Sequence, residues 1–339
     1  MQVEQSGPTA VRPEPYVRGL LPGLSWAEGS RLPAVPSRKL PCDTVRAARI
    51  PAGVHLALTG TARALELAVR VGERTSVPAP TVPEAFVARA AGAPAVTVPV
   101  AGSGLLRVPL PERGPDEVVR VYLPEAFEVR IDAVDAVGGT IAPAPRGPLW
   151  VVYGDSITQG WSVSAPGMAW PSLVAERLGL DLVNLGFAGS ARGETLAADV
   201  VGGSGAAAVA LAWGTNAWSS LPTDAGAVAE TMRLFLTAVR QGLPAAPIVV
   251  VSPIVRPDAE RTANRFGTTH AELRDALEAA VLRFVAATGD GAITLVPGRD
   301  LVPAGQLADG LHPDDTGQAS LAAGVAAHVA AAMASVTNA

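Results

Sequence analysis

Two patterns of unlike period divide this 339-residue chain and predict its fold class. From about Val45 to Val137, short β-type runs alternate with turn residues, the mark of an antiparallel sandwich or jelly roll. From Leu149 onward, continuously apolar runs are each followed by a helical stretch, which requires a parallel sheet covered on both faces. Between them, Pro143-Ala144-Pro145-Arg146-Gly147-Pro148 reads as a linker. The predicted organisation is a lead-in and β-sandwich over residues 1–145, then an α/β domain over residues 146–339.

In chain order, the first 30 or so residues are rich in Pro, Gly and Arg and predict a loosely packed lead-in. The β runs that follow are Val54–Thr59, Leu65–Arg70, Leu105–Pro109, Val118–Leu123 and Phe127–Asp132. Alternation in the last two puts Arg120, Tyr122, Glu128 and Arg130 on one face, with valines and Ile131 on the other. In the second half the strand candidates are Leu149–Tyr153, Leu182–Leu185, Ala207–Trp213, Ile248–Pro253 and Ala292–Val296. The helical candidates are Ala169–Leu178, Ala225–Gln241, Ala271–Thr288 and Thr316–Met333. Val228, Met232, Phe235 and Val239 form a one-sided apolar stripe on the second of these helices.

Composition narrows the function classes. With 49% hydrophobic and 17% charged residues the chain is that of a globular protein, not a disordered one. A net charge of -5 without basic clusters argues against nucleic-acid binding. Cys42 is the sole cysteine, so no intrachain disulfide forms. Met1 to Gln5 lacks a basic region leading into an apolar one, and no uninterrupted apolar run reaches the roughly 20 residues needed to span a bilayer. The expectation is a cytoplasmic protein without membrane partners. No metal-ligand cluster or phosphate-binding loop occurs, so neither metal nor cofactor is expected.

The residues that carry chemistry are far apart in sequence. Ser156 follows the apolar run Pro148–Tyr153, and the carboxyl end of such a strand is where open α/β sheets bind ligands. Asp309 and His312 sit three apart, so one turn places the carboxylate beside the imidazole. A serine hydroxyl becomes a nucleophile when a neutral imidazole takes its proton, and a carboxylate fixes the imidazole tautomer. These residues point to a serine hydrolase. The neighbouring carboxylate is expected to raise the His312 pKa, giving an acid limb in kcat/KM at about 6 to 7.5. Asp155 is expected to bond local backbone N–H groups.

Four motifs occur in one order: Gly154-Asp155-Ser156-Ile157-Thr158-Gln159-Gly160, Asn184-Leu185-Gly186-Phe187-Ala188-Gly189, Gly214-Thr215-Asn216 and Asp309-Gly310-Leu311-His312-Pro313. In this the stretch from 149 to about 335 resembles the SGNH (GDSL) hydrolase family. The resemblance implies a flavodoxin-like three-layer α/β/α domain that hydrolyses esters, lipids or acetylated sugars. It implies Ser156, His312 and Asp309 as the triad, and the backbone N–H groups of Ser156 and Gly189 with the Asn216 amide as the oxyanion hole. A β-rich domain ahead of such a domain resembles the two-domain carbohydrate esterases. Many of those work as a Ser-His pair, whereas Asp309 is present here.

Several assignments stay open on sequence. Trp161, Trp213 and Trp218 either line a substrate pocket or pack in the core. His270 either contacts substrate or is structural, and Arg192 either meets an anionic substrate or sits at the surface. His55 and His328 are read as structural or solvent-facing. The first domain either binds a glycan or walls the active-site cleft. The leading reading is an esterase acting on a small-molecule or glycosidic ester. The alternatives are an acyltransferase with the same triad and a glycan-binding protein without turnover.

Overall fold

The structure is a computed structural model that describes residues 11–34, 39–74 and 83–337. Residues 1–10, which hold the N-terminal stretch read for a leader, lie outside the described residues.

Two antiparallel sheets form first. One has the order β1 (Val17–Arg18), β2 (His55–Thr59), β7 (Val119–Tyr122), β4 (Ala85–Ala90), β5 (Val96–Pro99), with β9 (Ala142–Pro143) also paired to β2. The other is β6 (Gly104–Pro109), β3 (Ala64–Arg74), β8 (Phe127–Val137). Leu56, Leu58, Phe86, Val119 and Val121 from one sheet meet Leu65, Leu67, Val108 and Val134 from the other in a buried core. This is the sandwich that alternation predicts. The face that alternation gives to Tyr122 is covered. Tyr122 is buried, stacks on His55 at 4.7 Å and donates to Glu176 Oε1 at 2.8 Å, because the outer face of this sheet rests on the α/β layer. The stretch read as a linker begins inside β9, where Pro143 pairs with Leu58.

The second sheet system is parallel and five-stranded, in the order β11 (Asp181–Gly186), β10 (Leu149–Gly154), β12 (Ala208–Ala212), β13 (Ile248–Val251), β14 (Ile293–Val296). Strand β10 shows why both faces are covered. Trp150 and Val152 point into one core with Trp170, Val174, Leu321, Val325 and Val329. Val151 and Tyr153 point into another with Met232, Phe235 and Leu277.

The helices, among the described residues, are α1 (Cys42–Ala47), α2 (Ser156–Gln159), α3 (Trp170–Leu178), α4 (Thr195–Gly202), α5 (Ala225–Gly242), α6 (His270–Thr288) and α7 (Asp315–Thr337). Helix α6 starts on a capping box made by Thr269 and Glu272. Helix α7 starts where Asp314 Oδ1 accepts the Gly317 N–H at 2.9 Å. It is long and apolar enough to span a bilayer, yet its Leu321, Val325 and Val329 are buried in the core.

The lead-in is not loosely packed. Its Leu21 belongs to the core on the α4–α6 side of the parallel sheet, together with Leu32, Leu40, Ala47 and Ala48 of the segment that follows it. Arg31 is fully buried there, donating to the carbonyls of Ile50 (2.6 Å), Ala47 (2.8 Å), Gly186 (2.9 Å) and Asn184. A buried guanidinium costs several kcal/mol unless acceptors surround it, and these four carbonyls do so. Burial still lowers its pKa to about 9, against the raising effect of Glu125.

Candidate active site

The order β11-β10-β12 reverses the chain direction of winding between β10 and β12, so a crevice opens at their carboxyl ends. Ser156 leaves β10 into that crevice as the first residue of α2, and Asn216 leaves β12 in a single 3-10 turn, Thr215–Ala217. Helix α2 can lie this close only because Gly154 has no side chain. A Cβ there would sit 2.1 Å from Thr158 Oγ1 and 2.5 Å from the Ala212 carbonyl.

Asp155 caps α2, its Oδ1 accepting the Ile157 N–H at 3.0 Å. Burial raises its pKa to about 6, opposed by bonds from the backbone of Ile157, Thr215 and Asp155 itself. Asn184 accepts from Gly186 N and donates to Thr158 O, both at 2.8 Å, tying α2 to the end of β11. Gln159 Oε1 accepts the Ala188 N–H at 2.9 Å and extends that tie into the next loop.

Ser156 Oγ lies 2.9 Å from His312 Nε2, and His312 Nδ1 lies 2.7 Å from Asp309 Oδ2. The other carboxylate oxygen of Asp309 accepts the N–H groups of Leu311 (3.0 Å) and His312 (2.8 Å), which fixes the carboxylate against the ring. Burial pushes the Asp309 pKa up, but these bonds outweigh it and hold the group below 3.8. For His312 the balance is the reverse of the sequence expectation. Burial lowers its pKa, the bond and charge of Asp309 raise it, Arg256 lowers it further, and the net result lies below 6.5.

The three groups that the resemblance assigns to an oxyanion hole differ in their local partners. As the first residue of a helix, Ser156 has an N–H with no intrahelical acceptor. Gly189 adopts φ +69° with no atom within 4 Å of where a Cβ would be. Asn216 is 5% exposed and spends one amide hydrogen on Ala191 O at 3.1 Å, leaving a second.

The profile of the GDSL-like lipase/acylhydrolase family matches residues 149–329. The chain belongs to this family. Lipase and acylhydrolase chemistry is the reaction class of that family. The chain's fold is shared with solved structures of low sequence identity. A Bacteroides ovatus protein described as a GDSL-like lipase superposes with TM-score 0.81 at 18% identity, over 96% of this chain and 98% of that one. A salicylyl-acyltransferase, SsfX3, from a tetracycline biosynthetic pathway gives 0.80 at 22%, over 96% and 97%. A family two carbohydrate esterase from Clostridium thermocellum, in complex with cellohexaose, gives 0.59 at 16%, over 81% and 90%. No curated protein sequence matches the chain.

Within this GDSL domain the three tryptophans separate. Trp161 is half-buried with its ring 6.1 Å from that of His312. It lines a cleft of about 430 Å³ together with Ala188, Arg46 and Ile50 of the lead-in, Arg74 of β3 and Glu128 of β8. The first domain therefore walls a cleft that reaches the site. Trp213 is no pocket residue: it is 3% exposed, its ring 6.5 Å from that of Phe235, because β12 carries it into the core. Trp218 is half-buried, donates to Thr262 O at 2.7 Å and carries the Arg256 guanidinium 4.6 Å from its ring centre.

His270 lies in the interior. It is fully buried and bonds Glu260 at 3.0 Å beside Arg274, and burial lowers its pKa to about 4. His55 is buried and His328 exposed. Arg192 is paired with Asp43. Sequence reasoning missed Arg31, whose bonds to Asn184 and Gly186 hold the carboxyl end of β11. No local signal marks it, since its partners are backbone carbonyls distant in sequence.

Proposed function

We propose that this chain is a serine esterase that removes a small acyl group, such as acetyl, from a sugar or other small-molecule ester. The observation that carries the reading is the unbroken chain Ser156 Oγ, His312 Nε2, His312 Nδ1, Asp309 Oδ2, linked at 2.9 and 2.7 Å. Neutral His312 accepts the Ser156 proton as Oγ attacks the ester carbonyl. Negative charge then builds on the carbonyl oxygen, and the N–H groups of Ser156 and Gly189 with the second Asn216 amide hydrogen receive it, each worth about 3 kcal/mol. The imidazolium, stabilised by Asp309, returns its proton to the departing alkoxide. The acyl-enzyme remains, and water activated by the same imidazole releases the acid. The cleft lined by Trp161 holds the substrate, and its mix of an indole with guanidinium and carboxylate groups suits a polar, hydroxyl-bearing ligand.

The test is a pre-steady-state assay with a short-chain p-nitrophenyl ester. A burst of p-nitrophenol, absent in Ser156→Ala, is expected; turnover by a folded Ser156→Ala protein overturns the reading. The acyltransferase reading uses the same acyl-enzyme, and the likeness to SsfX3 gives it support. Adding an alcohol acceptor decides between them: a product that stays the free acid leaves the esterase reading standing. A glycan-binding protein without turnover has no use for the intact triad, and any burst excludes it.

A further inference from the structure

The loop between Phe187 and Glu194 carries Gly189 and also holds Asn216, since Ala191 O takes the Asn216 amide at 3.1 Å. What fixes this loop comes partly from outside the family-matched region. Glu194 ends the loop, and its carboxylate caps no helix. Instead Oε2 accepts the Tyr153 hydroxyl at 2.5 Å and Oε1 accepts the Thr44 hydroxyl at 2.9 Å. Tyr153 in turn accepts the Gly193 N–H at 3.0 Å. Arg192 donates through Nε to Ser190 O at 2.8 Å and through Nη2 to Asp43. Thr44 is buried, and both it and Asp43 lie on the six-residue helix α1, ahead of the sandwich.

We infer that Glu194, together with Thr44 and Asp43 of α1, forms a set of positioning residues that holds the 187–194 loop in the shape that presents the Gly189 N–H and orients the Asn216 amide. The physical basis is selective. A glycine at positive φ is free to take many conformations, so a loop built around Gly189 and Gly193 needs outside partners to keep one. A carboxylate bonded from three sides supplies them, and it is 9% exposed, so water competes little for its lone pairs. Thr44 thereby acts on transition-state stabilisation through Glu194 and the loop, while Arg46 of the same helix lines the cleft. This inference rests on the oxyanion role proposed above for Gly189 and Asn216.

The test measures kcat, KM and folding by circular dichroism for Glu194→Ala, Glu194→Gln and Thr44→Val, alone and with Asn216→Ala. Glu194→Ala should lower kcat by about 10²-fold with little change in KM, the scale of an ångström of misplacement at a reacting centre. Glu194→Gln, which still offers one carbonyl acceptor, should recover part of that loss, and Thr44→Val should show a smaller loss of the same kind. With Asn216 already removed, the further loss from Glu194→Ala should shrink, because the donor it orients is gone. Losses that simply multiply, or full kcat in Thr44→Val and Glu194→Ala proteins that fold, overturn the inference. If Glu194→Ala does not fold, Thr44→Val against Asn216→Ala decides alone. Retained activity in folded Ser156→Ala would instead remove the reading on which the inference rests.

Discussion

The indole of Trp161 lies 6.1 Å from the imidazole of His312, centroid to centroid, and tilts 44° to it. The ring packs beside the imidazole while it lines the cleft. On the function proposed above one side chain then has two roles: its bulk adds to the burial that favours the neutral imidazole, and it offers substrate an apolar face.

Trp161→Ala should therefore move the acid limb of kcat/KM upward. Burial is the largest influence on His312 and lowers its pKa, so admitting water lets the value rise toward 6.5. KM should rise as well, because a cleft wall is lost. A pH series of kcat/KM with the variant checks both. An unmoved limb would mean that the indole plays no part in the desolvation of His312.

The wild-type profile has its own sign. The base works when neutral, so kcat/KM rises as pH rises through the His312 pKa, and the limb should fall below 6.5. Among the described residues Asp309 is what raises this pKa, so Asp309→Asn should shift the limb lower still. Turnover should fall by about 10²- to 10⁴-fold in the same variant, since the tautomer and the imidazolium lose their partner. Activity against pH for the two proteins, with chemistry rate-limiting, tests the assignment. A limb that rises in Asp309→Asn would contradict it.

Trp213 and Trp161 should behave oppositely. Trp213 is 3% exposed, its ring 6.5 Å from that of Phe235, and Gly193 packs against it. Trp213→Ala should cost about 3–5 kcal/mol of stability through the cavity it leaves. Trp161→Ala should leave stability nearly unchanged and raise KM. Urea unfolding curves for both variants, beside their KM values, separate the roles.

Sequence pattern carried the parallel sheet well, because each strand is buried on both faces and so is continuously apolar. The juxtaposition of Ser156, His312 and Asp309 was legible for a similar reason: the three fall in short motifs whose chemistry is local. Other features were not local. Strand β4 holds one β-branched residue, Val87, β5 is only 4 residues long, and the helices Cys42–Ala47 and Thr195–Gly202 span only 6 and 8 residues. The burial of Tyr122 was not legible because alternation reports which residues share a face, not what covers it. Arg31 and Thr44 act through partners some 150 positions away, 153 for Arg31 to Asn184 and 150 for Thr44 to Glu194. The pKa of His312 was misjudged because a neighbouring carboxylate is visible in sequence and burial is not.

The oxyanion donors proposed above offer the last test. Asn216 gives one amide hydrogen to Ala191 O at 3.1 Å, which leaves a second for the role proposed. Asn216→Ala should lower kcat by about 10²- to 10³-fold with little change in KM, since the charge it meets exists only in the transition state. Gly189→Ala acts by another route. No atom lies within 4 Å of the added methyl, so the change meets no clash, but φ +69° is unfavourable for an L-residue by about 1–2 kcal/mol. The loop should relax away from that conformation and carry its N–H with it, lowering kcat while the cleft keeps its volume. Ground-state affinity for a non-hydrolysable analogue should then be close to wild type in both variants. Weakened analogue binding in step with kcat in Asn216→Ala would make that amide a uniform binding contact instead.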